Sequence, residues 1–153
     1  MAILNDENYD VRKLFEYMEE KAYQHSSCVR RQNYCLLLDK QTNIIGEGAN
    51  GTPIVLGDCR NQIDICPSRD VPAGKGDSQT LCYGVHSEIR ALKDCKDISS
   101  IRYCLSLKAP CRQCVLTLMT TPCEEIVFMV PSTETINKEL WEKVKCRWTH
   151  YER

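Results

Sequence analysis

The hydrophobic positions of the chain form two patterns, a three- to four-residue period typical of helices and short apolar runs typical of strands. From residue 8 to about residue 25, apolar side chains recur every three or four positions, which predicts an amphipathic helix capped by Asp6 or Asn8. Two short apolar runs, 34–38 and 43–48, follow with a polar interruption between them. We interpret these two runs as a β-hairpin at the edge of a sheet.

The second half of the chain alternates helical and strand patterns. It predicts helices over 85–95, 111–120 and 133–146, and strands over 101–107 and 125–130. The order αββ, αβ, αβ, α indicates an α/β fold, in which helices cover the faces of a mixed sheet.

Residues 50–80 have no usable periodicity and are interrupted by glycines and prolines. Irregular segments of this length in a compact domain are usually functional or are stabilised by interactions other than secondary structure. Metal ligands within or beside this loop would account for its length.

Length and charge narrow the class of protein. The 153 residues are expected to form one domain, 1–153, because a single hydrophobic core serves a chain of this size. The 20 Lys and Arg against 21 Asp and Glu give a net charge of −1, which disfavours a nucleic-acid polymer as partner. The sequence contains neither a membrane-spanning apolar run nor a secretion signal, so a cytoplasmic location is expected.

Cysteine is over-represented, with 11 in the chain. An odd number of cysteines in a reducing compartment favours thiolate chemistry or metal binding over disulfides. Some must still be ordinary core residues, since free cysteine is often buried. Cys35 and Cys104, each within an apolar strand pattern, are the best candidates for that role.

Two short motifs stand at the predicted starts of the second and third helices. Cys111 and Cys114 are separated by two residues, so one helical turn brings their sulfur atoms together. His86 supplies an imidazole, and three such ligands leave a fourth tetrahedral position of a zinc ion for water. Glu88, two residues further on, is placed to act as general acid and base.

Each of these residues also has a simpler interpretation. Cys111 and Cys114 could form a structural zinc knuckle or a redox pair, His86 could be a hydrogen-bonded core histidine, and Glu88 could be a surface carboxylate. The full pattern, His-x-Glu followed by Pro-Cys-x-x-Cys, is however the signature of the zinc deaminases. Both motifs in this order favour a catalytic site.

Three segments carry a more specific resemblance. They are GEGANGTP, CPSRDVPAGKGDSQTLCYGVHSEIRAL and SLKAPCRQC, and together they resemble the deoxycytidylate (dCMP) deaminase branch of the cytidine deaminase superfamily. The likeness extends from about residue 27 to residue 130. It implies a three-layer α/β/α fold with a central mixed five-stranded sheet. It also implies hydrolysis of dCMP to dUMP and ammonia, a reaction that feeds thymidylate synthesis.

The resemblance assigns roles at the site. Zinc held by His86, Cys111 and Cys114 would lower the pKa of a coordinated water, and Glu88 would exchange protons with that water and the pyrimidine. Asn50 is similar to the family's sugar-binding asparagine and is expected to contact the 3′-hydroxyl. The alternative for Asn50 is a simple Asn-Gly turn.

A second, structural zinc is also expected near the long loop. Four cysteines flank this loop, and four thiolates on one ion would hold a segment that lacks secondary structure. Some members of the family carry such a zinc, with ligands at positions that resemble Cys28 and Cys59. The candidate ligands are Cys28, Cys59, Cys66 and Cys82. The alternative is that these thiols are packed as small hydrophobic groups.

Two features of the sequence bear on nucleotide binding. They are the basic residues near the site and the positions at which the chain differs from the family pattern. Arg30 and Arg31 resemble the family's basic pair and are the favoured ligands for nucleotide phosphate. Other basic residues also lie near predicted site loops, namely Arg69, Lys75, Lys108 and Arg112. The chain has Arg90 where many members have asparagine. This arginine would either bring a charge to the active-site helix and alter phosphate preference, or lie on a solvated helix face.

Assembly and regulation are implied only by the resemblance. It implies a homo-oligomer, commonly a hexamer, and allosteric effectors dCTP and dTTP that bind with Mg²⁺. Ala49 replaces a tyrosine that many members carry in the effector-binding loop, which makes regulation an open question.

Three function hypotheses remain. The first is a zinc-dependent dCMP deaminase. The second is a deaminase that acts on dCTP, on a free nucleoside or on another nucleobase. The third is a non-catalytic binding module stabilised by zinc, in which Glu88→Gln would have no effect.

Overall fold

A computed structural model of the chain describes residues 10–28, 31–53, 84–145 and 147–153. The helices are α1 (Val11–His25), α2 (Ser87–Asp94), α3 (Arg112–Leu118) and α4 (Ile136–Val144), with a 3-10 turn at Ile98–Ser100. The strands are β1 (Tyr34–Leu38), β2 (Ile44–Ala49), β3 (Tyr103–Lys108), β4 (Glu125–Val130) and β5 (Arg147–His150). None of the helices in these ranges is long and apolar enough to cross a membrane.

The strands form one mixed five-stranded sheet in the order β2-β1-β3-β4-β5. β1 pairs antiparallel with both β2 and β3, which confirms the predicted hairpin. The β3–β4 and β4–β5 pairs are parallel. α3 connects β3 to β4, since parallel neighbours require a crossover connection.

Alternate residues of each strand face opposite sides of the sheet. On one side Leu36 and Leu38 of β1 pack with Phe15 and Met18 of α1. On the other side the strands pack against α2, α3 and α4, with Trp141 fully buried. Helices therefore cover both faces, and the predicted α/β class is confirmed.

The predicted core cysteines also lie inside this structure. Cys35 and Cys104 are both fully buried, and their sulfur atoms are 3.5 Å apart on neighbouring strands. Their thiols belong to the core on the side of α2, α3 and α4. The interpretation of these two residues as ordinary packing groups is confirmed.

Several element ends differ from the prediction. α1 is capped by Asp10, whose side chain accepts a hydrogen bond from the Lys13 amide, rather than by Asp6 or Asn8. The last helix is shorter than 133–146 and ends at Val144. The chain then forms β5, a strand that the hydrophobic pattern alone did not predict. Four residues are too few to show a period, and β5 depends on pairing with β4.

The β2 strand and α2 approach each other closely at Gly46. A Cβ atom there would lie 2.6 Å from the Ala91 carbonyl oxygen and 3.0 Å from the Cys95 Cα. Both of these atoms belong to backbone, so neither can move aside as a flexible side chain could. Glycine at this position thus lets α2 lie directly on the sheet.

We expect Gly46→Ala to lower the free energy of unfolding by about 1–3 kcal/mol, because the added methyl group forces α2 away from β2. Denaturation in urea measures this change. Ile44→Ala, an exposed position on the same strand, is the control and should change stability by less than about 1 kcal/mol. Equal stability of Gly46→Ala and wild type would show that the helix separates from the strand without cost.

Candidate metal and catalytic site

Three side chains with metal-ligand chemistry meet at the N-termini of α2 and α3. The Nδ1 atom of His86 lies 3.3 Å from the sulfur atoms of both Cys111 and Cys114. All three donor atoms lie within 4.8 Å of one another. His86 and Cys111 are the N-cap residues of the two helices, where backbone amides and the helix dipole stabilise thiolate.

The local chain explains why the cysteines converge. Cys111 precedes α3, and its carbonyl accepts the Val115 amide at 2.9 Å, so Cys114 lies one turn further on. The buried side chain of Asn137, from α4, donates to the Pro110 carbonyl at 3.5 Å. α4 therefore helps to hold the residue that precedes the first thiol.

Contacts within the cluster shift the pKa values of its members. A hydrogen bond from Cys114, followed by one from His86, lowers the pKa of Cys111 to about 4. The same contact with Cys111, together with burial and the Glu88 charge, raises the pKa of Cys114. The hydrogen bond to Cys111 also raises the pKa of His86. Cys111 is thus the thiol of this pair that ionises more readily.

Glu88 lies against this cluster and is almost completely buried, with 2% of its surface exposed. Burial raises the pKa of its carboxyl group, and the nearby His86 opposes that rise. The Oε1 atom accepts a hydrogen bond of 2.9 Å from the hydroxyl of Ser106 on β3. A buried carboxylate that faces potential ligands has the environment of a proton-transfer group.

The donor set fits a zinc ion. Two cysteine sulfurs and one imidazole nitrogen are the ligands that Zn²⁺ prefers, and three protein ligands leave one position open. The donor atoms are close enough to one another to share one ion. The sequence motifs predicted that these three residues form one ligand set, and the structure places their donor atoms together.

No protein-family model and no curated protein matches the chain. Solved structures do match it. One is the dCMP deaminase from the cyanophage S-TIM5 in complex with dCMP and dUMP, with a TM-score of 0.67 and 17% identity, over 94% of this chain and 96% of that one. The chain has the cytidine deaminase-like fold.

A second match with this fold is a larger protein. It is a diaminohydroxyphosphoribosylaminopyrimidine deaminase/5-amino-6-(5-phosphoribosylamino)uracil reductase from Thermotoga maritima, with a TM-score of 0.60 and 11% identity. The match covers 90% of this chain and 35% of that one. The three-layer arrangement with a five-stranded sheet, expected from the resemblance, is thus confirmed as the cytidine deaminase-like fold.

Asn50 follows β2 in this fold and organises the loop beside it. Its Oδ1 atom accepts hydrogen bonds from the Ser26 hydroxyl at 2.6 Å and from the Asn33 amide at 2.8 Å. Its Nδ2 atom donates to the Arg31 carbonyl. The expected role in sugar binding stays a prediction, and the observed role is to join the end of β2 to the segment before β1.

Arg90 does not lie on a solvated helix face, and its effect on phosphate preference stays a prediction. Its guanidinium donates to the carbonyl oxygens of Gly51 and Thr52, at 3.0 and 2.9 Å, and the residue is half-buried. It is therefore not a solvated residue of the helix face. Arg90 instead ties α2 to the backbone of the loop that carries Asn50.

The two predicted basic ligands are only partly described. Arg31 lies close enough to His86 and Lys108 for its charge to lower the pKa of each. Burial contributes most to the lowered pKa of Lys108. Arg30 lies outside the described residues. Arg31 and Lys108 thus form a positive region beside the candidate metal ligands.

The proposed structural zinc site cannot be assembled from the described residues, since Cys59, Cys66 and Cys82 lie outside them. Cys28 is half-buried, and its amide donates to the Ser26 hydroxyl at 3.3 Å. The four-cysteine site stays a prediction.

Two polar residues beside Glu88 escaped the sequence interpretation, namely Ser106 and Asn33. Ser106 is fully buried on β3, and Asn33 contacts it from a position 73 residues away. The signal for Ser106 was a single polar residue inside the apolar run of the predicted strand 101–107. Buried polar groups of this kind need hydrogen-bond partners.

Proposed function

We propose that this protein is a zinc-dependent hydrolase that converts dCMP to dUMP and ammonia. The observation that carries the proposal is the buried carboxylate of Glu88 beside a His/Cys/Cys ligand set. A structural zinc knuckle has no need of a buried proton acceptor next to its ligands. The dCMP deaminase fold of the S-TIM5 match supports the choice of reaction.

In the proposed reaction His86, Cys111 and Cys114 hold the zinc ion. A zinc ion held by these three residues would supply a water of lowered pKa. Glu88 accepts a proton from this water and delivers it to N3 of the pyrimidine ring. The water oxygen forms a bond to C4, and Glu88 then carries the second proton from this oxygen to N4. The C4–N4 bond breaks as the C4 carbonyl forms, so water and dCMP give dUMP and ammonia.

Glu88 needs both of its protonation states for this role. Burial raises its pKa, which makes the protonated form accessible closer to neutral pH. The Ser106 hydrogen bond occupies Oε1. The second carboxylate oxygen, Oε2, is then the atom that exchanges protons with water and substrate.

The positive region of Arg31 and Lys108 favours a phosphorylated substrate. Burial is the main cause of the lowered pKa of Lys108 and the Arg31 charge adds to it, so a phosphate beside both cations would stabilise the charged form of Lys108. We propose that Arg31, Lys108 and the adjacent Arg30 bind the 5′-phosphate. Asn50 is the proposed contact to the sugar.

Ammonia release tests the proposed function directly. Purified zinc-loaded protein is offered dCMP, dCTP, CMP and deoxycytidine in parallel, with and without dCTP or dTTP and Mg²⁺ as effectors. Preferred turnover of dCMP supports the proposal, and a response to the triphosphates would extend it to regulation. No ammonia from any of these substrates, with zinc measured in the protein, would contradict it.

We expect Arg31→Ala and Lys108→Ala each to raise the KM for dCMP by about 10-fold or more, because each removes a charged contact to phosphate. The KM for deoxycytidine should stay unchanged, since it has no phosphate. Lys93→Ala, an exposed lysine on α2, is the matched control. Equal losses for dCMP and deoxycytidine would place the phosphate elsewhere.

A further inference from the structure

Glu88 is held by a hydrogen-bond chain that begins in the segment before β1. The chain runs from Asn33 to Ser106 and from Ser106 to Glu88, with an Nδ2–Oγ distance of 3.3 Å and an Oγ–Oε1 distance of 2.9 Å. Ser106 is fully buried, and 2% of the surface of Glu88 is exposed. In such surroundings a hydrogen bond is strong and an unmade one is costly.

The orientation of the Asn33 amide is determined by its neighbours. Its Oδ1 atom accepts the backbone amides of Tyr34 at 2.9 Å and of Lys108 at 3.2 Å. Because amide N–H groups only donate, the atom that faces both of them must be the oxygen. The Nδ2 atom is therefore the one that is turned toward Ser106.

The direction of the Ser106 proton follows from this orientation. Its oxygen accepts a hydrogen bond from Nδ2 of Asn33. It also lies 3.4 Å from Oδ1 of Asn33, but that oxygen already accepts two shorter hydrogen bonds. The hydroxyl proton is thus left to Glu88, whose Oε1 atom is nearer, at 2.9 Å.

We propose that Ser106, oriented by Asn33, is a positioning residue that fixes the Glu88 carboxylate, so that Oε1 is held by protein and Oε2 is left for proton transfer. This inference rests on the proposed function for its kinetic consequence. Its structural part does not depend on which substrate is used. The backbone of Asn33 is itself held by Asn50, since its amide donates to the Asn50 side chain at 2.8 Å.

Crystal structures of the zinc-loaded protein test the structural part. We expect wild type to show one Glu88 rotamer in contact with Ser106, and Ser106→Ala to show the carboxylate displaced or in more than one rotamer. An unchanged Glu88 in Ser106→Ala would overturn the proposal. This readout remains decisive if wild type releases no ammonia from any substrate, a result that would overturn the proposed function alone.

Kinetics test the consequence for turnover. Ser106→Ala is expected to lower kcat by about 10- to 100-fold, while the KM changes by less than about threefold, because the contact orients a proton-transfer group and does not bind substrate. Ser106→Thr keeps a hydroxyl and should recover much of the loss. A rise in KM with unchanged kcat, or no change in either, would contradict the assignment.

Two further variants separate positioning from general damage. Asn33→Ala should also lower kcat, and its effect should vanish in a Ser106→Ala background if Asn33 acts through Ser106. Ser87→Ala removes a hydroxyl that is equally buried and makes no hydrogen bond to the described residues. This control should retain the wild-type kcat. Additive losses in the double variant would overturn the role of Asn33.

Discussion

Glu88→Gln is expected to lower kcat by at least about 10³-fold and to leave the zinc content unchanged. Glutamine has nearly the same shape as glutamate, so it fits the same buried position beside Ser106. It cannot accept the proton that the proposed reaction takes from water. Glu88 is not one of the three donor residues, so zinc binding should persist.

Ammonia release and metal analysis of the same preparation measure both quantities. Glu142→Gln, an exposed carboxylate on α4, is the control and should behave as wild type. Full activity of Glu88→Gln would remove the basis of the deaminase proposal. It would favour the alternative of a binding module, in which the ligand set is only structural.

Without zinc, the stability of wild type and that of Glu88→Gln should depend on pH in different ways. Burial raises the pKa of Glu88 in the folded state above its ordinary value in the unfolded state. The unfolded chain then loses this proton at lower pH than the folded one, so wild type loses stability as pH rises through that interval. Glu88→Gln has no titrating group at this position. It should therefore have the higher free energy of unfolding at pH values above this interval.

The parts of the site that the sequence predicted are those defined by local spacing. His86 and Glu88, and Cys111 and Cys114, are each two or three residues apart at the start of a helix. Such pairs are determined by one turn of backbone, whatever the rest of the fold does. Short apolar runs likewise predicted β1 and β4, whose residues are mostly buried.

The parts that escaped prediction depend on contacts between distant segments. Asn33 meets Ser106 across 73 positions, and Arg90 reaches the Gly51 carbonyl across 39. β5 exists because it pairs with β4, and the indole nitrogen of Trp141 donates to the Arg147 carbonyl at 2.9 Å. No local pattern encodes these partners, although a lone serine in an apolar run indicated that one was needed.

Cys114→Ser is expected to remove one zinc ion per chain and to reduce turnover to the background rate. Its sulfur is buried and lies 3.3 Å from His86 Nδ1, and a serine hydroxyl is a poor substitute for a thiolate as a zinc ligand. Wild type at free zinc of about 100 times the dissociation constant gains roughly 2.7 kcal/mol of stability from the metal. That corresponds to about 5–10 °C in unfolding temperature.

Metal analysis and thermal unfolding with and without zinc measure the expected losses in Cys114→Ser. The zinc content per chain of the variant is compared with that of wild type. A second zinc at Cys28 and the loop cysteines would be present in both proteins and would not change the difference of one ion. Cys95→Ser changes a half-buried thiol at the end of α2, outside the ligand set, and should keep its zinc. If Cys114→Ser retains the full complement and the same zinc-dependent rise in unfolding temperature, the ion is bound elsewhere and the proposed chemistry loses its centre.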